Sequence, residues 1–452
     1  MEQQANLDNI KKIAEEELSA ERWVYETNNS FGEPVLIYSS RRTDENNKNK
    51  HWAKLFDRYY NKIDSDESAY KDTSIWRSSY DGKPIPGFEI EEWIDTTVEK
   101  LKPYLNEAKE VLEIGCGNGL IFGKIHHLIK SYTGLDSSEA ALKCIRESDI
   151  YKKCPSKFSL ELLGADKITQ LLPKKYDIII INSVMQYFPD SIYFHTVLSD
   201  MQNVLNENGV VFMGDLRSKA LADFQYKHIA SKNCKDENHE ELLIKKYQRR
   251  ENEMLISPLF ISQLINIHDW INSTSVSIKF GASKNEMMRF RYDAFLFNSE
   301  NITPQTSKDS VKEYTIADLS NDKLDEEIQN TNKICMIKGI PNPHLADLPI
   351  SANSIPGHTD TSANNLLMKL KTYLTNPNVY MNIYESNNPS NLNLSFSNKP
   401  FTDPTLFEKI KLNEITNKLS PTKMTFSKYN LDIHILEITD KYWPLLNSKI
   451  LI

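Results

Sequence analysis

The sequence predicts an α/β fold built on a doubly wound, mostly parallel sheet, and three observations predict it. Between residues 110 and 300 short apolar runs alternate with helical segments, the order of repeated β-α units. Residues 175–183 hold four consecutive isoleucines, Ile178 to Ile181, the continuous apolar strand expected when both sheet faces are covered. Residues 110–114 run straight into a glycine-rich turn, as the first strand of a ligand-binding β-α unit does.

The first 45 or so residues are polar, and Ile10, Ile13, Leu18 and Trp23 are loosely spaced as on a helix. The charged and amide-rich tract 41–50 reads as an exposed loop. Aromatics crowd the next segment: Trp52, Phe56, Tyr59, Tyr60, Tyr70, Trp76 and Tyr80. Turn chemistry dominates 80–86, where Gly82, Pro84 and Pro86 exclude a helix interior. A helix follows, with Trp93, Thr97, Leu101 and Tyr104 as its apolar stripe. Strands are predicted at 110–114, 132–135, 175–183 and 209–214, and a helix at 191–206. Residues 275–279 and 292–297 read as a closing pair. The polar stretch 299–312 reads as a linker. Beyond it, 334–340 is a buried-strand candidate, and the Asn/Ser/Pro-rich stretch 385–404 is expected to be a mobile loop. The domain reading is 1–88 as an N-terminal helical lid, 89–300 as the core and 313–452 as a small accessory α+β subdomain.

Composition excludes several classes. The net charge is -8, so no hold on nucleic-acid backbones is expected. No run reaches the about 18 apolar residues of a membrane span, and the start of the chain lacks a basic, apolar leader. The five cysteines, at 116, 144, 154, 234 and 335, form no Cys-x-x-Cys pair. Neither a disulfide framework nor a structural zinc is expected, and a reduced cytoplasmic setting is. His126 and His127 are adjacent on a predicted helix and point apart, so no metal is expected there either.

The strongest local signal is Gly115-Cys116-Gly117-Asn118-Gly119, preceded by Glu113. A dinucleotide fold uses Gly-x-Gly-x-x-Gly and cradles a pyrophosphate. Here the spacing is shorter, and an acid beside the loop repels phosphate. The pattern suits a ligand with an amino-acid end and a ribose. Asp136 lies 19 residues after Gly117, at the end of the second strand, where a carboxylate accepts from ribose hydroxyls. Asp166 sits where a third strand ends and is placed to accept from an adenine amine. Each acid alone reads as a turn cap. All three in this order point to a nucleoside-type cofactor, and S-adenosylmethionine has both required ends.

The chain resembles the methyltransferase domains embedded in non-ribosomal peptide synthetases. The resemblance rests on Tyr80-Asp81-Gly82-Lys83-Pro84-Ile85-Pro86, the glycine loop, Tyr132-Thr133-Gly134-Leu135-Asp136 and Asn182-Ser183-Val184-Met185-Gln186-Tyr187-Phe188-Pro189. It extends to Gly214-Asp215-Leu216-Arg217, Glu253 to Phe260, Asn285 to Asp293, and Gly339-Ile340-Pro341-Asn342, covering roughly residues 50–450. It implies a Rossmann-like class I methyltransferase core with a seven-stranded sheet and S-adenosylmethionine as cofactor. No phosphopantetheine-attachment serine motif and no adenylate-forming motif is found, so the chain reads as a free-standing version.

The cofactor set expected on these grounds is Tyr80, Glu113, Gly115, Cys116, Gly117, Asn118, Gly119, Asp136, Ser137, Ala165, Asp166, Asn182 and Ser183. The acceptor is expected over the ends of the fourth and fifth strands, with Gln186, Tyr187, Asp215, Arg217, Glu253, Asn285 and Glu286 as the candidate catalytic residues. Asp215 and Arg217 read either as acceptor ligands or as a structural pair with each other. Trp76 and Tyr80 read as a lid or as ordinary packing. The resemblance implies N-methylation of an amino acid, an aminoacyl thioester or a peptide-like intermediate, free or tethered to a peptidyl carrier protein. O-methylation of a carboxylate or hydroxyl, and a non-catalytic carrier-binding module, are the alternatives. The loop spacing and Glu113 argue against a dehydrogenase. The C-terminal region is expected to dock a carrier or to shape the acceptor pocket.

Overall fold

The computed structural model describes residues 20–26, 35–41, 45–63, 68–251, 253–298, 311–314, 321–330, 334–345, 348, 366, 368–371, 380–385, 391–397 and 431–437. The chain divides into two units, one of residues 1–48 with 408–452 and one of residues 49–407. In the first, β1 (Ala20–Glu26), β2 (Val35–Arg41) and a strand at Leu431–Glu437 form a three-stranded antiparallel sheet centred on β2. Trp23 thus stands in a strand opposite Tyr38, not on a helix. The aromatic and β-branched run Trp23-Val24-Tyr25 favours the pleated conformation. Ile10, Ile13 and Leu18 lie outside the described residues. Residues 45–50, expected in a loop, begin helix α1 (Glu45–Tyr60).

The second unit is organised by one sheet of eleven strands. Its centre is β3 (Glu110–Ile114), flanked by β4 (Ser131–Asp136) and then β5 (Phe158–Leu162) on one side. On the other side stand β6 (Tyr176–Asn182), β7 (Leu205–Arg217), β9 (Arg291–Phe297) and β8 (Ser273–Ile278). The first five of these strands are parallel, and β9 is antiparallel to both β7 and β8. This is the strand order expected of a Rossmann-like core. Chain order reverses at β3, and the crevice beyond the carboxyl ends of β3 and β6 is where such sheets bind ligands.

The isoleucine run shows why β6 is apolar throughout. Ile179 and Ile181 enter the core on one face, with Phe194, Val197 and Leu198 of the helix Ser191–Val204. Ile178 and Ile180 enter the core on the other, with Trp93 and Leu101 of helix α2 (Gly87–Leu101) and with Phe122. All four are buried, and each such burial stabilises by roughly 1.5–3 kcal/mol.

The expected seven strands are present, but the sheet does not stop there. Strand β12 (Tyr380–Glu385) pairs in parallel with β8, followed outward by β13 (Asn391–Ser397), β11 (Ile334–Pro341) and β10 (Val311–Tyr314). The described strands between 311 and 397 therefore extend the core sheet. β13 lies within the stretch expected to be a loop. Its Leu392, Leu394 and Phe396 are fully buried at every second position, a period of two hidden among Asn and Ser. The strand Leu431–Glu437 completes the set as β14. Residues 299–310 of the expected linker lie outside the described residues, while 311 and 312 belong to β10.

Candidate active site

The glycine loop leaves β3 with three left-handed residues, Gly115 at φ 70°, Gly117 at φ 54° and Gly119 at φ 96°. A Cβ at Gly115 would lie 2.3 Å from Val184 Cγ2, and one at Gly117 would lie 2.6 Å from the Tyr60 hydroxyl. Both the backbone conformation and the space therefore require glycine. Asp136, at the end of β4, ties the loop down: its carboxylate accepts from the Gly117 and Ser138 N–H groups, each at 2.8 Å. Burial raises its pKa against the pull of those donors. Glu113 is buried beneath the loop and accepts from the Tyr132 hydroxyl at 2.6 Å. Desolvation pushes its carboxyl up to about 8.

Helix α1 covers this loop. Trp52, Phe56 and Tyr60, spaced four apart, share one helical face, and the Trp52 and Phe56 rings pack on Tyr187 at 4.5 and 5.2 Å. Asp57 accepts from Ser138 Oγ at 2.9 Å and the Ala140 N–H at 3.2 Å. It thereby caps helix α3 (Glu139–Glu147) from outside.

The far side of the crevice carries ion pairs. Arg217, at the end of β7, binds Glu251 at 2.7 Å, Glu253 at 3.0 Å and the Gln225 side-chain Oε1 at 3.1 Å. Asp215 is fully buried and does not pair with Arg217. It holds Arg291, accepts from Trp93 Nε1 and Ser183 Oγ, both at 2.9 Å, and lies 3.6 Å from Lys279 Nζ. The reason is a bulge. The β7–β9 register shifts between Met213 and Leu216, and Asp215 adopts φ 63°. Two residues that alternation places on one face are thus separated. Asp293 anchors the network from below, at 2.6 Å from both Lys100 and Lys279, and these cations hold its carboxyl at about 2 despite burial.

These elements enclose a cavity of about 610 Å³, within the roughly 300–1,000 Å³ typical of small-molecule sites. Of the expected cofactor set, Glu113, Gly115, Cys116, Gly117, Asn118, Asp136, Ser137, Ala165, Asp166, Asn182 and Ser183 line it. So do Tyr187, Arg217, Glu253 and Glu286 of the expected catalytic set. Five expected residues do not. Gly119 shapes the entry to the short helix Leu120–Ile125 from behind the loop. Tyr80 packs edge-on against His228 at 5.0 Å, with Lys232 Nζ 4.3 Å from its ring. Gln186 is buried one layer back and donates to Ser183 Oγ. Asp215 lies beneath the lining. Asn285 caps the short helix Glu286–Arg289 and donates to Glu89. Asn118, though in the lining, spends its amide on the Ala69 and Asp72 carbonyls and fastens the segment before α2.

Arg291 and the α1 aromatics also line the cavity and were not singled out from sequence. The spacing of Trp52, Phe56 and Tyr60 was a readable signal. Arg291 stands in the polar, charged run 285–293, whose composition apolar packing does not explain and which marks a substrate-facing segment, while its place opposite Arg217 follows from pairing across the sheet.

The lining holds six carboxylates, four guanidinium groups and no lysine. The residues fit S-adenosylmethionine. The glycine cradle and Asp136 stand where a ribose would be held, and Asp166 where an adenine amine would be. Glu113 and Asn182, whose buried Oδ1 has no hydrogen-bond partner among the described residues, are placed for an amino-acid end. No group of three or more His, Cys, Asp or Glu able to hold a metal occurs among the described residues. Nor does any helix there reach the length and apolarity needed to cross a membrane.

A family model described as a methyltransferase domain matches residues 105–267. Chondramide synthase of Chondromyces crocatus is 31% identical over 251 residues, which span 54% of this chain and 6% of the synthase. The beauvericin nonribosomal cyclodepsipeptide synthetase of Beauveria bassiana is 31% identical over 262 residues, spanning 55% of this chain and 8% of that one. The chain thus spans under a tenth of the length of these relatives. Among solved structures, the plantazolicin methyltransferase BpumL in complex with SAH is 17% identical at a TM-score of 0.35, over 56% of this chain and 99% of that one. The family match makes residues 105–267 a methyltransferase domain, and over about half of this chain the sequence is similar to non-ribosomal peptide and cyclodepsipeptide synthetases.

Proposed function

We propose that the protein methylates the amine of an amino acid, an aminoacyl thioester or a peptide-like intermediate. One observation carries this reading. Glu286 lines the cavity and is buried; its Oε1 accepts from the Ser79 N–H at 2.6 Å, while Oε2 has no hydrogen-bond partner among the described residues. A buried carboxylate oxygen left unsatisfied calls for a donor from the substrate, and an ammonium is the donor that pairs with it best.

Bound S-adenosylmethionine supplies an electrophilic methyl on a positively charged sulfur. The chain's own part is deprotonation and alignment. Glu286 Oε2 takes the ammonium proton, leaving a nitrogen lone pair able to attack. Trp52, Phe56 and Tyr187 exclude water from above, and near-attack alignment of the amine supplies much of the rate. The relatives that share the domain are peptide synthetases, which supports an aminoacyl or peptidyl acceptor presented by a peptidyl carrier protein.

The test uses isotopically labelled methyl donor with amino acids, their N-acetylcysteamine thioesters and N-acetylated controls. The label should appear on nitrogen by fragmentation, with acetylated controls unreactive. Glu286→Gln should lower kcat about 10²–10³-fold, with S-adenosylhomocysteine affinity within about twofold of wild type. Label recovered on oxygen would sink the amine reading while leaving the methyltransferase intact.

A further inference from the structure

We propose that Arg291 anchors a carbonyl or carboxylate oxygen adjacent to the acceptor's nitrogen, so that the site selects α-amino carbonyl compounds over simple amines. This rests on the reading that the acceptor is an amine.

Arg217 and Arg291 stand directly opposite each other on β7 and β9, and both line the cavity. Like charges in that position repel unless each is neutralised. Their partners differ in kind. Arg217 is engaged by Glu251, Glu253 and Gln225. For Arg291 the structure records one hydrogen bond among the described residues, from Nη1 to Asp215 Oδ2. A guanidinium carries five N–H donors. The Arg291 side chain is 15% exposed and lines the cavity, so the donors that Asp215 leaves unused are available to an oxygen bound there.

Arg291 is also held still. Asp215 cannot follow a swinging guanidinium: it is fully buried in a left-handed bulge, clamped by Trp93 and Ser183, and its N–H donates to Asp293 Oδ1 at 2.8 Å. Asp293 is fixed in turn by Lys100 and Lys279. A rigid fork with open donors and a buried carboxylate with an open oxygen, Glu286, share one cavity. One binds oxygen and the other binds nitrogen, and an α-amino carbonyl compound carries both on neighbouring atoms.

The experiment measures methyl transfer by the full chain to three pairs of probes: L-valinamide with isobutylamine, L-leucinamide with isoamylamine, and L-phenylalaninamide with phenethylamine. Each pair differs by the carbonyl group alone. Wild type should favour at least one amide by tenfold or more in kcat/KM. Arg291→Gln should erase that preference by raising KM for the amide about tenfold, and Arg291→Lys should restore part of it. S-adenosylhomocysteine affinity, measured by calorimetry, should stay within about twofold in both variants, which also shows that they fold. Equal use of both members of every pair, a preference that survives Arg291→Gln, or no transfer to any probe overturns the proposal. So does loss of S-adenosylhomocysteine binding in both folded variants, since the guanidinium would then serve the cofactor's carboxylate. Failure of wild type to bind S-adenosylhomocysteine would instead remove the underlying reading.

Discussion

Glu113 carries a carboxyl group into the middle of a sheet, where water cannot solvate its charge. Its folded pKa of about 8 lies above the roughly 4.3 of an unfolded chain. Between those values the folded state binds more protons than the unfolded state, so this residue's contribution to stability falls as pH rises through the window. Glu113→Gln removes the ionisation. In ligand-free protein the variant's melting temperature should gain on wild type steadily from pH 5 to pH 8, and its S-adenosylhomocysteine affinity at pH 8 should fall about tenfold or more. Parallel melting curves across that range would show that burial does not hold the proton. The acid is then a stability cost that the methyl donor's positive end offsets on binding.

At the scale of elements, helix α1 joins two jobs through neighbouring residues. Its aromatic face covers the glycine loop and packs on Tyr187, while Asp57 caps helix α3 through Ser138 and Ala140. Losing an N-terminal capping contact costs typically about 1 kcal/mol, and here the contact also fastens a cover. Asp57→Ala should therefore speed S-adenosylhomocysteine dissociation about fivefold in stopped-flow displacement, with association little changed. An unchanged dissociation rate would mean that the aromatic packing alone holds α1 down. The same logic explains the glycines: Tyr60 approaches Gly117 so closely that the loop and the helix fit only without a Cβ between them.

At the scale of the 49–407 unit, the four strands beyond β8 cover an edge that would otherwise offer unpaired backbone groups. The Asn382 side chain reinforces the junction by accepting from the Val276 N–H at 2.9 Å. The same region grips the segment before Arg291. Arg289 donates to the His344 carbonyl at 2.6 Å, His344 Nε2 meets the Lys279 carbonyl at 2.8 Å, and Leu345 and Leu348 pack with Phe290. A chain ended at residue 305 should self-associate through β8 in size-exclusion chromatography, melt at least 5 °C lower and lose activity. A monomeric, fully active truncation would show that the extension neither protects the edge nor supports Arg291.

Local pattern in the sequence marked the strands at 110–114, 132–135, 175–183, 209–214, 275–279 and 292–297, the helix at 191–206, the glycine loop and the acids at the ends of β3 and β4, but not the helices Ala222–Asn233 and Glu237–Arg250. The marked features are legible because periodicity, turn chemistry and glycine's φ range act over a few residues. The paired aromatics of α1 were visible as well, though not their target. Other outcomes depended on partners distant in the chain. The N-terminal strands need each other, and β13 needs β11 and β12 on either side before its polar-looking sequence becomes a buried strand. Asp215 and Arg217 were separable only once the β7–β9 register set a bulge between them, and Arg291 reached the cavity only through that same pairing. Pairing register and burial are properties of the assembled sheet, so the part of the cavity built on the glycine loop and two strand ends could be read locally, while the partners of Asp215, Arg217 and Arg291 were decided by tertiary structure.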